Sequence, residues 1–128
     1  MKYWSNILLA YDGSKSAKKG LEEAIRLGEK FNSKITVLHL YWDMTDVESR
    51  HLLKETEDAM KKSKIRYTLR SQLEPVEYVP KRILEILKSE GFDCVVLGAR
   101  GFKAKDWLLG SVSTKIAAEA PCTVVLSR

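Results

Sequence analysis

The 128-residue chain carries 22 lysines and arginines against 17 acidic residues, a net charge of +5, with 45% hydrophobic and 30% charged residues. That balance describes one globular domain over residues 1–128 with enough apolar side chains to bury a core, and it excludes a disordered tail. No apolar run is long enough to cross a bilayer, and the basic residues are scattered without interleaved aromatics, so neither a membrane span nor a nucleic-acid platform is expected.

The first apolar run, Ile7 to Tyr11, is nearly continuous, as in a strand covered by helices on both faces. A helix is expected from about Ser16 to Phe31, with Ala17, Leu21, Ala24, Ile25, Gly28 and Phe31 on one stripe. Gly20 and Gly28 weaken that helix, which predicts close approach to a sheet at both positions. Ile35 to Leu40 is a second buried strand. Thr45, Asp46, Val47 and Glu48 form a capping-box pattern that opens a second helix, running to about Lys62. From Tyr67 to Leu73 apolar and polar residues alternate, which suits an edge strand with one wet face. A third helix begins near Pro80, buries Val79, Ile83, Ile86 and Leu87, and stops at Gly91. Cys94 to Leu97 is the fourth strand, Ser111 to Ala120 a fourth helix closed by Pro121, and Thr123 to Leu126 the fifth strand.

Strand and helix alternate, as in a three-layer α/β/α domain, and five strands with right-handed crossovers and strand three at an edge fit a parallel sheet in the order 3-2-1-4-5. In such a sheet the chain reverses direction between strands 1 and 4, and ligands bind in the crevice at their carboxyl ends. The crevice would be lined by Asp12, Gly13 and Ser14 after strand 1 and by Gly98 to Gly101 after strand 4. Gly98, Gly101, Gly110 and Ser111 form a strand, glycine loop and helix start of the kind that presents several backbone amides to one anion. The bland alternative is that the glycines supply turns and Ser111 caps a helix; Asp12-Gly13-Ser14 is equally a turn and capping sequence.

Neither G-x-G-x-x-G after strand 1 nor G-x-x-x-x-G-K-[ST] occurs, so Rossmann dinucleotide and Walker sites are absent. Instead the chain resembles the universal stress protein family along essentially its whole length. The resemblance rests on Asp12 after the opening strand, Leu38-His39-Leu40, Gly98-x-x-Gly101, the entry Leu108-Leu109-Gly110-Ser111-Val112, and the apolar strand after Pro121. It implies a Rossmann-like fold of the adenine nucleotide alpha hydrolase type and a stress-response sensor or regulator that binds ATP, AMP or ADP, with or without Mg²⁺. It further implies that backbone near Ala10 and Leu40 meets adenine, that Asp12 and Gly98 lie at the ribose, and that Gly101, Gly110, Ser111 and Val112 hold phosphate. A homodimer joined through the last strands is implied as well; that strand carries no charge before Arg128, and such an edge invites a partner.

One departure stands out. Phe102 to Leu109 is a spacer of eight residues, one short of the family's usual length of about nine. The alternative is therefore a universal stress protein that binds no nucleotide and works as a dimeric protein-interaction module. No activated nucleophile with its base can be read from the chain, so at most slow ATP hydrolysis is expected. Arg100, Lys103 and Lys105 make the glycine loop basic, and Trp107 either covers the site or latches the loop from beneath. His39 reads as a hydrogen-bonded core residue and Cys94 and Cys122 as packed thiols. The opening MKYWSN lacks an export pattern, and a cytoplasmic protein is expected.

Overall fold

In chain order the elements are β1 (Asn6–Ala10), α1 (Lys15–Phe31), β2 (Lys34–Tyr41), α2 (Asp46–Lys62), β3 (Arg66–Leu73), a 3₁₀ turn (Val76–Tyr78), α3 (Val79–Ser89), β4 (Cys94–Gly98), α4 (Ser111–Glu119) and β5 (Thr123–Ser127). The computed structural model describes residues 4–100 and 110–128. All five strands are parallel and stand in the expected order β3-β2-β1-β4-β5.

Side chains alternate across each strand, so the sheet feeds two cores. Ile7, Leu9, Ile35, Val37 and Val96 face α1 and α2, where Ala17, Ala24, Leu53 and Met60 meet them. Leu8, Leu38, Val95 and Leu97 face α3 and α4, against Ile83, Leu84, Leu87 and Ile116. Ile7, Leu8 and Leu9 are completely buried in succession, because β1 is the central strand and is covered on both sides. Each such side chain contributes roughly 1.5–3 kcal/mol.

The helix starts follow their local chemistry. Ser14 caps α1 by accepting from the Ala17 amide at 3.2 Å. Thr45 and Glu48 complete a reciprocal capping box at α2, with Thr45 N donating to Glu48 Oε2 at 2.7 Å and Glu48 N to Thr45 Oγ1 at 3.1 Å. The two glycines of α1 differ. A Cβ on Gly28 would lie 2.9 Å from Ile65 Cδ1 and 3.1 Å from Ile35 Cδ1, whereas one on Gly20 would meet nothing nearer than 3.6 Å. Close approach is thus required at Gly28 and not at Gly20, which corrects the expectation for the latter. Cys94 and Cys122 are free and pack on opposite faces of the sheet, and burial pushes the Cys94 thiol up to about 12.

Candidate functional site

β1 ends early in the middle of the sheet, and both its neighbours run past its last residue. Ala10 pairs with Leu38 on one side and Leu97 on the other. The last link to β2 is Tyr11 N donating to Leu38 O at 2.9 Å. On the far side of β2, Glu74 N donates to Tyr41 O at 2.8 Å. Because successive peptide groups of a strand address opposite neighbours, Leu40, between Leu38 and Tyr41, aims its N–H and C=O toward β1, past the last bond between the two strands. Across the gap, Ala99 N donates to Ser127 O on β5 at 2.7 Å, which leaves the Gly98 peptide facing β1. The main chains of Leu40 and Gly98 therefore flank the space above the end of β1. The Leu40 side chain is itself buried in the core against α3 and α4.

The floor of that space is the turn into α1. Asp12 is exposed; one carboxylate oxygen accepts from Ser14 N at 2.9 Å, and Gly13 turns the chain at a φ of 81°. Beneath it, Tyr11 is pushed up to about 12 by burial and then by the nearby charges of Glu55 and Asp12.

Two serines lock the end of β4 to the helices beside it. Ser16 Oγ donates to Arg100 O and accepts from Arg100 N at 3.3 Å. A Cβ on Gly98 would come within 2.7 Å of Ala17 N and 2.9 Å of Ser16 C, besides overlapping Ser16 Oγ; only glycine lets β4 and the first turn of α1 touch here. Farther on, Ser113 Oγ donates to Ala99 O at 2.6 Å, and Gly110 N donates to the same oxygen at 2.8 Å. The first turn of α4 is thereby fixed against the end of β4. Its N-cap is Gly110, which has no side chain to satisfy the first-turn amides, so among the described residues no side chain caps the positive end of α4, where Ser111 is exposed and Val112 half-buried. Ser127, beside Gly98 in the ladder, has a buried hydroxyl with no hydrogen-bond partner among the described residues.

Of the residues expected from the sequence, Ala10, Asp12, Leu40, Gly98, Gly110, Ser111 and Val112 stand at the carboxyl ends of β1, β2 and β4 or at the start of α4. Gly101, with Lys103, Lys105, Trp107 and the whole eight-residue spacer, lies outside the described residues. Ser16 and Ser113 were not expected. Ser113 could have been suspected as a hydroxyl in the first turn after an N-cap glycine, but Ser16 meets Arg100 across 84 positions of sequence, for which no local signal exists. His39 is, as expected, a hydrogen-bonded core residue: its Nδ1 lies 2.8 Å from Ser49 Oγ, which continues to Ser71 Oγ. A polar cleft of about 290 Å³ between the ends of α1 and α2 includes Asn32, Ser33, Lys64 and Arg66. It sits at the amino ends of the strands, away from this crevice.

The universal stress protein family model matches residues 4–128. The chain belongs to the universal stress protein family. Among curated relatives, a universal stress protein of Thermus aquaticus encoded 3′ of a sulfhydrylase is 32% identical over 139 residues, covering 98% of this chain and 99% of its own. Among solved structures, a universal stress protein in complex with cAMP superposes with a TM-score of 0.82 at 20% identity, covering 98% of both chains. The Archaeoglobus fulgidus universal stress protein in complex with dAMP gives a TM-score of 0.77 at 19% identity, covering all of both chains. At those identities the structural matches establish a shared fold for this universal stress protein.

Proposed function

We propose that this universal stress protein binds an adenine nucleotide above the end of β1 and acts as a sensor or regulator and not as a fast catalyst. The observation that carries the reading is the first turn of α4, which starts at Gly110, has no side-chain cap among the described residues and is pinned beside Gly98, because helix amides without such a cap favour an anion. The Leu40 peptide, which faces β1 beyond the last bond between the two strands, offers one donor and one acceptor there, the pairing an adenine edge needs. The second oxygen of Asp12 suits a ribose hydroxyl, or a Mg²⁺ carried in with the phosphates of ATP. The cAMP and dAMP complexes of the structural relatives support the same ligand class. Homodimerisation through β5 completes the proposal.

The shortened spacer favours a second reading, an interaction module that binds no nucleotide. Titration calorimetry with AMP, ADP, ATP and cAMP, with and without Mg²⁺, separates the two. The informative variant is Gly110→Asp. A carboxylate at the N-cap satisfies the same amides and leaves α4 at least as stable, while its charge repels phosphate. The expected result is nucleotide binding by the native chain and a loss of about tenfold or more in affinity for G110D, with no fall in melting temperature. Heat-free titrations with all four nucleotides would establish the second reading.

A further inference from the structure

Every large hydrophobic side chain that is exposed among the described residues falls in two short segments: Trp42 and Val47 in residues 42–48, and Leu73, Val76 and Tyr78 in residues 73–78. These segments are neighbours. Tyr41 pairs with Leu73 in the β2–β3 ladder, Glu74 N is bonded to Tyr41 O, and the Tyr41 hydroxyl donates to Asp46 at 3.3 Å, drawing the start of α2 onto the same rim. Trp42 is 47% exposed, Leu73 67% and Val76 49%, so apolar surface is concentrated at the carboxyl ends of β2 and β3 instead of being scattered. Concentration of this kind marks an interaction site.

The charge on this rim is opposite to that of the molecule. Residues 42–48 and 73–78 contain Asp43, Asp46, Glu48, Glu74 and Glu77 and no lysine or arginine, in a chain whose net charge is +5. Arg50 reaches back to Asp46 at 2.9 Å and Arg82 to Glu74 at 3.1 Å, and Glu48 is held in the capping box. Asp43, beside Trp42, and Glu77, between Val76 and Tyr78, are exposed and have no ion-pair partner among the described residues.

We propose that this rim docks a basic segment of another protein, one that carries bulky apolar side chains flanked by lysine or arginine. Charge complementarity selects that occupant. A symmetric contact with a second copy would set the same patch against itself and bring carboxylates together, and an anionic membrane or a nucleic acid meets the same repulsion. The proposal is independent of nucleotide binding at the β1 crevice.

The test uses the whole chain and three synthetic amidated peptides: a Lys-Leu-Leu-Lys repeat, the same repeat with Glu for Lys, and the same repeat with Ser for Leu. Binding is followed by amide chemical-shift mapping and by titration calorimetry. The lysine-leucine peptide is expected to shift Trp42, Leu73 and Val76, and to bind more tightly than either control by about tenfold. L73S with V76S, and separately D43K with E77K, should each weaken it by a similar factor and leave the melting temperature unchanged, since all four side chains are exposed. Reversing Glu22 and Glu29 on α1 should change nothing. Equal binding of all three peptides, equal binding by all variants, or shifts confined to other surfaces would overturn the proposal. So would two further outcomes: AMP alone shifting Trp42, Leu73 and Val76, which would assign the rim to the crevice, or L73S with V76S lowering the sedimenting mass of the free protein, which would make a second copy the occupant.

Discussion

At the scale of single residues, the clearest physical signature is the buried histidine of β2. His39 is only 3% exposed; its Nδ1 is hydrogen-bonded to Ser49 Oγ, which in turn bonds Ser71 Oγ. Burial lowers its pKa from the ordinary histidine value, against the weaker opposing pull of Asp12 and Asp43. The folded protein thus holds the ring neutral at a pH where the unfolded chain already takes up a proton. Stability is full above the unfolded value of about 6.5 and declines as pH falls through that value toward the folded one. Urea unfolding of the native chain at about pH 8 and about pH 5.5 should show a loss on acidification, and His39→Gln, which keeps a hydrogen-bonding group toward Ser49 but cannot charge, should lose part of it. An unchanged difference between the two pH values in H39Q would place the acid sensitivity elsewhere.

At the scale of elements, α1 gives a paired test of why glycines sit in a helix. Gly20→Ala adds a methyl where the nearest atoms are at ordinary contact distance, so the higher helix propensity of alanine should stabilise the protein by up to about 1 kcal/mol. Gly28→Ala forces Ile65 and Ile35 to give way and should cancel or reverse that gain. Denaturant midpoints of the two variants decide it, and a destabilised G20A would mean that the α1–sheet spacing is tighter than it stands here. The two glycines were indistinguishable in the sequence because the difference lies in what crosses from β2 and from Ile65. Much else was legible. The strand segments, the capping box at Thr45 and the glycine that follows β4 come from local patterns, set by residues within a few positions of one another, and the strand order followed from their alternation with helices together with the edge character of β3. The direction of the Leu40 peptide was not legible in residue types, because it depends on where β1 stops relative to β2. The exposure of Leu73, at the end of a strand whose alternation placed it with Tyr67 and Leu69, was not legible either, because alternation gives the face of a residue and not what covers it.

At the scale of the whole molecule, the sheet ends in two unlike edges. β3 carries Arg66 and Arg70, the latter bonded to Glu90 at 2.7 Å, and charges of this kind discourage edge-to-edge pairing. β5 runs Thr123-Val124-Val125-Leu126-Ser127 without a charge, which supports the proposed homodimer through this strand. Its ladder polarity supplies a selective test. Ser127 O accepts from Ala99 N, so the peptides of Thr123, Val125 and Ser127 address β4 while those of Val124 and Leu126 face outward. Val124→Pro therefore deletes an N–H that the monomer does not use, and proline is tolerated on an edge strand at such a position. Val125→Pro deletes one that the β4 ladder needs. If copies join along β5, sedimentation at micromolar concentration should find the native chain dimeric and V124P monomeric with its circular dichroism intact, whereas V125P should lose stability in either state. A V124P protein that still sedimented as a dimer would show that the copies meet on a different surface.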